Sequence, residues 1–246
     1  MARPAARRAS TIFVLAGCNG AGKSSVGGAA LRQAGADYFN PDDAARRIAA
    51  ANRHGSPPPS QEALNAAAWN EGRRLLERAM TERLDFAFET TLGGNTITEL
   101  LGRAAATGIA VNVWFVGLAT VELHLERVRR RVARGGHDIP EAKVRERYQR
   151  GQENLIRLLP RLAAVRLFDN SADADPDRGV APTPRLLLDC RRGRIVAPTA
   201  LATVMNGTPE WAKPIVAAAL KLHLRTQKSG PRGHRRPPAP AAPNAG

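Results

Sequence analysis

The stretch that decides the fold is Thr11-Ile12-Phe13-Val14-Leu15-Ala16-Gly17-Cys18-Asn19-Gly20-Ala21-Gly22-Lys23-Ser24. Its first six residues are β-branched or apolar throughout, which predicts a strand buried on both faces of a parallel sheet. The next eight match the phosphate-binding pattern G-x-x-x-x-G-K-[ST], known as Walker A. A helix is predicted from about residue 23 to residue 33. Strand, glycine-rich loop and helix therefore follow one another in the order that this pattern requires.

The chemistry of such a loop predicts a site for a nucleoside triphosphate. Small residues let the backbone curl so that its N–H groups, together with the helix N-terminus, face an anion. Lys23 is expected to reach the β- and γ-phosphates of ATP, and the Ser24 hydroxyl is expected to ligate Mg²⁺. Cys18 is interpreted as a small loop residue rather than a nucleophile. The predicted ATP-binding residues of the loop are Gly17, Cys18, Asn19, Gly20, Ala21, Gly22, Lys23, Ser24 and Ser25.

The rest of the chain alternates between strand and helix patterns. Further strands are predicted at about 38–39, 85–89, 109–116 and 165–168, with a hairpin over 185–190 and 194–197. Helices are predicted at about 42–52, 60–83, 95–106, 120–134, 141–159 and 209–225. Such alternation favours a doubly wound α/β sheet, in which ligands bind at the carboxyl ends of the strands.

A carboxylate follows the second predicted strand, in Asn40-Pro41-Asp42. Asp42 can there accept the proton of an acceptor hydroxyl during phosphoryl transfer, which makes it the candidate general base. The alternative is an acid that only stabilises a helix start, and Asp43 is the weaker candidate for the base. Since the chain has neither a guanine-recognition signature nor an apolar run ending in Asp-Glu, a kinase is favoured over a GTPase or an ATPase.

The third predicted strand also ends in polar residues, Glu89-Thr90-Thr91. A carboxylate and two hydroxyls at this edge suit the hydroxyls of a sugar or polyol, so the three residues are candidates for substrate binding. A water molecule on Mg²⁺ is the alternative partner for Glu89. A simple turn capped by Thr90 is the structural alternative.

Two arginine-rich helices flank Gly135-Gly136, and residues 120–150, which contain them, are predicted to form a lid. Arg127, Arg131 and Arg134 are spaced to lie on one helical face, where they can stabilise charge on a transferring phosphoryl group. His137 is interpreted as a hydrogen-bonding residue of this segment rather than a metal ligand.

Together these motifs resemble the zeta-toxin family of P-loop kinases, over about residues 10–200. The segments that carry the resemblance are Gly17–Ser24, Asn40-Pro41-Asp42, Glu89-Thr90-Thr91, Arg127 to Arg134 with the following Gly-Gly-His-Asp-Ile-Pro, Arg147-Tyr148, Asn154-Leu155 and Phe168-Asp169-Asn170-Ser171. The resemblance implies an α/β fold of the P-loop NTPase class: an adenylate-kinase-like, doubly wound parallel sheet with a helical lid. It further implies ATP with Mg²⁺ and phosphorylation of a hydroxyl on a small molecule, which for the family's toxins is a nucleotide sugar.

Carried over by motif, the resemblance assigns a role to individual residues. Lys23 and Ser24 hold the phosphates and Mg²⁺, and Asp42 is the general base. Glu89 belongs to the acceptor site, and the lid arginines Arg127 and Arg134 stabilise the transition state. Asn170 lies on the loop near the adenine. A toxin or regulatory module that acts with an antitoxin-like protein partner is the alternative to a free-standing kinase.

Composition limits the other function classes. The chain has 246 residues and a net charge of +15, and only 11 of its residues are aromatic. Much of the positive charge lies in residues 1–10, read as a basic extension, and in the Pro- and Gly-rich residues 227–246, read as a disordered tail. Residues 11–226 are predicted to be the kinase domain. A nucleic-acid-binding protein is disfavoured, since no set of stacking aromatics is evident. Two cysteines and no membrane-spanning run favour the cytoplasm over export or a membrane.

Overall fold

The fold is built around a seven-stranded sheet. The computed structural model describes residues 10–28, 38–52, 58–172 and 183–228, and the sheet order among them is β2-β3-β1-β4-β5-β6-β7. The strands are β1 (Thr11–Ala16), β2 (Tyr38–Phe39), β3 (Phe86–Thr90), β4 (Ala110–Gly117), β5 (Ala164–Asp169), β6 (Arg185–Arg191) and β7 (Arg194–Ala197). The first five pair in parallel, and β6 and β7 add an antiparallel hairpin at one edge. The expected doubly wound parallel sheet is confirmed.

Helices connect the parallel strands. They are α1 (Ser24–Gly28, a single turn of π type), α2 (Pro41–Ala51), α3 (Gln61–Glu82), α4 (Asn95–Ala106), α5 (Val121–Ala133), α6 (Glu141–Leu158) and α7 (Lys213–Lys228). The starts of α2, α3 and α5 follow from local chemistry, because the side chains of Asn40, Ser60 and Thr120 each accept a hydrogen bond from a backbone N–H in the first turn.

The strand order brings the predicted site segments together. β1 lies in the middle of the sheet, with β3 on one side and β4 on the other, so Ala16 is in register with both Thr90 and Phe115. The loop after β1 and the polar residues at the end of β3 therefore leave the sheet side by side. β2 lies next to β3, which adds the segment that begins at Asn40 to the same edge.

One helix boundary differs from the sequence prediction, and another lies outside the described residues. The helix after the glycine-rich loop is described only to Gly28, and the predicted continuation to residue 33 lies outside the described residues. The last helix continues through Lys228, so Gln227 and Lys228 are helical rather than part of a disordered tail. The remainder of that tail and residues 1–9 also lie outside the described residues. Within the described part of the chain, no helix is long and apolar enough to cross a membrane.

Candidate active site

The glycine-rich loop depends on backbone conformations that favour glycine. Gly17, Gly20 and Gly22 have φ values of +141°, +80° and +81°. A Cβ atom at Gly17 would lie 2.2 Å from the carbonyl oxygen of Val116, and one at Gly22 would lie 2.5 Å from the Asn170 side chain. Both strain and lack of space therefore exclude larger residues at these two positions. The sequence pattern and the loop conformation agree.

Side chains from distant parts of the chain hold the loop in place. The carbonyl of Asn19 lies 2.7 Å from Nδ1 of His124 on α5, and its side-chain oxygen accepts a hydrogen bond of 2.9 Å from Arg147 on α6. Asn170, which is fully buried, donates to the carbonyl of Ala21 at 2.9 Å. Burial lowers the pKa of His124 to about 4, so its ring is neutral at pH 7 and Nδ1–H donates to the carbonyl. The two predicted lid helices thus brace the loop directly.

Cys18 has the environment of a structural residue. Its thiol is buried and donates to the carbonyl of Val144 on α6. Burial raises the pKa of this thiol to about 11, so it stays protonated at neutral pH and is a poor nucleophile. These contacts fit the interpretation of Cys18 as a small residue of the loop.

The predicted phosphate-binding residues Lys23 and Ser24 converge on Glu89. Its carboxylate is nearly buried, at 9% exposed. Nζ of Lys23 lies 3.5 Å from Oε1 of Glu89, and the Ser24 hydroxyl donates to Oε2 at 3.0 Å. Lys23 also donates to the carbonyl of Cys18 at 3.4 Å. Since Ser24 and Lys23 occupy the Walker A positions, the structure places Glu89 beside the predicted phosphate and Mg²⁺ site.

Two further donors reach the same carboxylate. The Tyr38 hydroxyl, from β2, donates to Oε2 of Glu89, and the Asn40 amide donates to it at 3.0 Å. The other end of that amide, Oδ1 of Asn40, accepts from the backbone N–H of Asp42 at 2.8 Å and of Asp43 at 3.4 Å. Glu89 is thereby linked through one side chain to the start of the helix that carries the candidate base.

Thr90 and Thr91 lie at the end of β3 with locally engaged hydroxyls. Oγ1 of Thr90 accepts from the backbone N–H of Leu92 at 3.0 Å, and Oγ1 of Thr91 accepts from that of Gly93 at 3.4 Å. The Thr90 carbonyl also accepts from the N–H of Gly17 at 3.2 Å, which ties the end of β3 to the loop. Both hydroxyls shape the turn after β3, and neither threonine lines the cleft that the glycine-rich loop forms with α2 and the end of α5.

The candidate base, Asp42, faces the lid helices. Its carboxylate is about half exposed, and Oδ2 lies 3.4 Å from a guanidinium nitrogen of Arg131. Nε2 of His137 lies 4.0 Å from Oδ1. Arg131 also donates to the carbonyl of His137 at 3.3 Å, while its Nε is buried without a hydrogen-bond partner among the described residues. Asp43, by contrast, pairs with Arg46 in the next turn of its own helix.

A cleft of about 630 Å³ brings these groups together. Gly20, Gly22 and Ser25 of the loop lie on one side, and Asp42 with the exposed side of α2 lies on another. The third side is the end of α5 with the segment after it. The residues that line the cleft are Gly20, Gly22, Ser25, Asp42, Ala45, Arg46, Ala49, Gln61, Leu64, Arg127, Arg130, Arg131, Arg134, Gly135, Gly136, His137 and Asn170. All three arginines that were expected on one helical face are among them.

Comparison with known proteins identifies the family of this chain. The family model described as "Zeta toxin" matches residues 2–174, which is well over half of the chain. The chain belongs to the zeta toxin family. A protein of Haemophilus influenzae, named only as uncharacterized, is 36% identical to it over 74 residues. That match covers 30% of this chain, and the chain spans about half (53%) of the length of that relative.

Solved structures show the same fold at low sequence identity. AvrRxo1-ORF1 in complex with AvrRxo1-ORF2, with sulphate ions, aligns at a TM-score of 0.59 and 17% identity, over 87% of this chain and 76% of the other. The same complex has been solved with ATP, at a TM-score of 0.58. A structure from the PezAT toxin–antitoxin system of Streptococcus pneumoniae aligns at 0.52 and 13% identity, over 92% and 90% of the two chains. This chain therefore shares its fold with these structures.

In this zeta toxin family member, Gly135 ends α5 rather than merely joining two helices. The N–H of Gly136 donates to the carbonyl of Arg131, and the N–H of Gly135 donates to that of Val132. Together with φ of +85° at Gly135, these bonds form a Schellman motif, which requires a left-handed residue at this position. The role of α5 and α6 as a lid stays a prediction.

Sequence reasoning missed several contacts of this zeta toxin family site. The sequence places His124 in an arginine-rich helix and Tyr38 in a strand, and it predicts no contact for either. In the structure His124 holds the carbonyl of Asn19, and Tyr38 holds the carboxylate of Glu89. The amide nitrogen of Asn170 also donates to the loop carbonyl of Ala21, a contact that the sequence did not predict, and its place near the adenine stays a prediction. Tyr38 begins the two-residue strand β2, and nothing next to it in the sequence identifies Glu89 as its partner.

Proposed function

We propose that this protein is an ATP-dependent kinase that transfers the γ-phosphoryl group to a hydroxyl of a small molecule. One observation carries the proposal: a single cleft is lined by the glycine-rich loop, by a half-exposed carboxylate, Asp42, and by the arginines of α5. A phosphate cradle, a proton acceptor and cations for developing charge are the parts that phosphoryl transfer needs. Membership of the zeta toxin family supports the same activity.

At the phosphate end, Lys23 and Ser24 are the groups that bind. Lys23 is held 3.5 Å from Glu89, and it exchanges this carboxylate for the β- and γ-phosphates. The hydroxyl of Ser24 and the carboxylate of Glu89, 3.0 Å apart, form the hard oxygen set that suits Mg²⁺ and its waters. When bound, Mg²⁺ supplies neutralisation of the phosphate oxygens. The ATP complex of the AvrRxo1 proteins, which share this fold, supports the nucleotide assignment.

Glu89 therefore serves the phosphate end in our proposal, not the acceptor. Four donors already surround it: Lys23, Ser24, Tyr38 and Asn40. Two of the four, Lys23 and Ser24, are Walker A residues. Glu89 does not line the cleft that contains Asp42. This favours the second of the two partners expected for it, a water molecule on Mg²⁺, over a sugar hydroxyl.

At the acceptor end, Asp42 takes the proton. The acceptor oxygen forms a bond to the γ-phosphorus, the bond from that phosphorus to the β–γ bridging oxygen breaks, and the hydroxyl proton passes to the carboxylate. Arg131, at 3.4 Å from Oδ2 of Asp42, keeps this carboxylate turned into the cleft before the acceptor arrives. Arg127 and Arg134 line the same cleft and stabilise charge on the transferring group.

An antitoxin-like protein is the partner that we propose for this kinase. The AvrRxo1 structures are two-protein complexes, and the S. pneumoniae structure comes from a toxin–antitoxin system. A second protein would then control the kinase, and the reaction itself would be the same. We place it in the cytoplasm, where ATP and phosphorylatable metabolites are available.

The test is a screen for the acceptor. The full chain is incubated with ATP, Mg²⁺ and a metabolite library, and mass spectrometry detects any compound that gains one phosphoryl group. We expect gain on one class of hydroxyl compound, and no gain with Lys23→Ala. ATP binding without phosphorylation of any compound or of water would contradict the kinase assignment and favour the toxin or regulatory module that binds ATP without turning it over.

A further inference from the structure

The Asn40 side chain links Glu89 to the start of the helix that carries Asp42. Its Nδ2 donates to Glu89 at 3.0 Å, and its Oδ1 accepts from the N–H groups of Asp42 and Asp43 at the start of α2. Both contacts fix the orientation of the amide, because a carboxylate needs a donor and a backbone N–H needs an acceptor. Asn40 itself does not line the cleft.

The environment of Glu89 changes when phosphate binds, in any mechanism that uses Lys23. In the present structure Lys23 supplies the positive charge beside Oε1 of Glu89, and Ser24 donates to Oε2. In the proposed function Lys23 turns to the phosphates on binding and Mg²⁺ with its waters comes beside Glu89, so the cation next to this carboxylate is replaced. The hydrogen bonds from Asn40 and Tyr38 to the carboxylate then change in strength, and a charge-assisted hydrogen bond changes in length with the charge that it compensates.

The helix start is sensitive to that change. An N-cap side chain sets where the first turn begins, because it accepts from N–H groups that have no partner within the helix. Asn40 has extended backbone angles (φ −113°, ψ 119°) and caps α2. Nδ2 and Oδ1 belong to one rigid amide plane, so a displacement of Nδ2 also moves Oδ1. The N–H of Asp42 donates to that oxygen at 2.8 Å.

We propose that Asn40 is a positioning residue that makes the placement of Asp42 depend on whether Lys23 and Ser24 have engaged phosphate. Asp42 would then be aligned in the cleft only when Lys23 and Ser24 hold the phosphoryl donor. This limits transfer of the phosphoryl group to water from a nucleotide that is not properly held. This inference rests on the proposed function, since only a phosphoryl transferase needs both ends in register.

The variants separate capping from coupling. Asn40→Ser keeps an oxygen that caps α2 equally well, but its side chain is too short to cap the helix and also reach Glu89. Asn40→Asp also keeps the cap and replaces the donor by a second acceptor, so it breaks the same link in a different way. Ser60→Ala is the matched control: Ser60 caps α3 through the N–H of Ala63 at 3.2 Å and has no contact with Glu89.

The experiment follows backbone amide NMR signals of the full chain as Mg²⁺ and a non-hydrolysable ATP analogue are added. In the native protein and in Ser60→Ala, the amides of Gly22 and Lys23 are expected to shift, and those of Asp42 and Asp43 are expected to shift with them. In Asn40→Ser and Asn40→Asp the loop amides still shift, whereas the response of Asp42 and Asp43 is lost.

Each outcome has one meaning. A full response of Asp42 and Asp43 in both Asn40 variants overturns the coupling and leaves the kinase assignment untouched. A silent α2 start in the native protein, with shifting loop amides, overturns the coupling as well. Silent loop amides in the native protein overturn the nucleotide assignment, and the coupling falls with it.

Discussion

Replacing Asp42 by asparagine tests the assignment of the general base. The change keeps the size of the side chain and the backbone N–H that Asn40 binds, but it removes the charge. The carboxylate is 49% exposed, and its ion pair with Arg131, at 3.4 Å, is long. Such a pair contributes at most about 1 kcal/mol to stability. The variant is therefore expected to fold and to melt close to the native protein.

The effect on transfer should be far larger than the effect on stability. Loss of a general base slows its step by roughly 10²–10⁴-fold, which corresponds to about 3–5 kcal/mol of activation free energy. ATP affinity should be nearly unchanged, because Lys23 and the loop N–H groups are intact. The assay is single-turnover transfer to the acceptor found by the screen, with nucleotide affinity measured separately by titration.

Asp43→Asn is the matched control for this prediction. Asp43 lies in the same first turn, is similarly exposed at 46%, and pairs with Arg46 rather than facing Arg131. It should transfer at close to the native rate. Native-rate transfer by Asp42→Asn would show that Asp42 only stabilises the helix start, and a slow Asp43→Asn would move the base to its neighbour.

Three further predictions concern the loop, the lid and a buried histidine. Lys23→Ala should abolish ATP turnover in a folded protein, because the cation for the β- and γ-phosphates is lost; unchanged affinity and turnover would refute the Walker A assignment. Gly135→Ala should lower the free energy of unfolding by about 1–2 kcal/mol, because a left-handed φ of +85° is forced on alanine. Gly207→Ala, with similar space for a Cβ and no positive φ, should not, and equal denaturant midpoints would refute the reasoning. Since burial lowers the pKa of His124 from 6.5 to about 4, the unfolded chain binds more protons between these values, and stability falls as pH drops through that window. From about pH 7.5 to 5.5 the native protein should lose about 1 kcal/mol more than His124→Gln in urea unfolding; parallel curves would contradict this.

Much of the architecture could be predicted because its causes are local. The apolar run Thr11–Ala16 followed by the glycine-rich loop predicts a buried strand and a phosphate cradle, and both are present. Asn40, Ser60 and Thr120 begin helices because a cap is a contact between near neighbours in sequence. The spacing of Arg127, Arg131 and Arg134 is likewise enough to place all three on one face, since helical geometry alone decides it.

The partners of these residues were decided only by the tertiary structure. Glu89 was predicted at a strand end, but Lys23, Ser24, Tyr38 and Asn40 reach it only because β2 and β1 lie on either side of β3. Alternation of strands and helices fixes that a parallel sheet forms, not the order of its strands.

The bracing of the loop has the same origin. His124 and Arg147 lie on α5 and α6 among many other polar side chains, and nothing nearby in the sequence identifies Asn19 as their partner. Each of them reaches Asn19 only because its helix packs over the loop, where the polar groups of Asn19 require hydrogen-bond partners. Local sequence therefore determined which chemical groups the protein carries at its strand ends and helix starts, and long-range packing determined which of them meet.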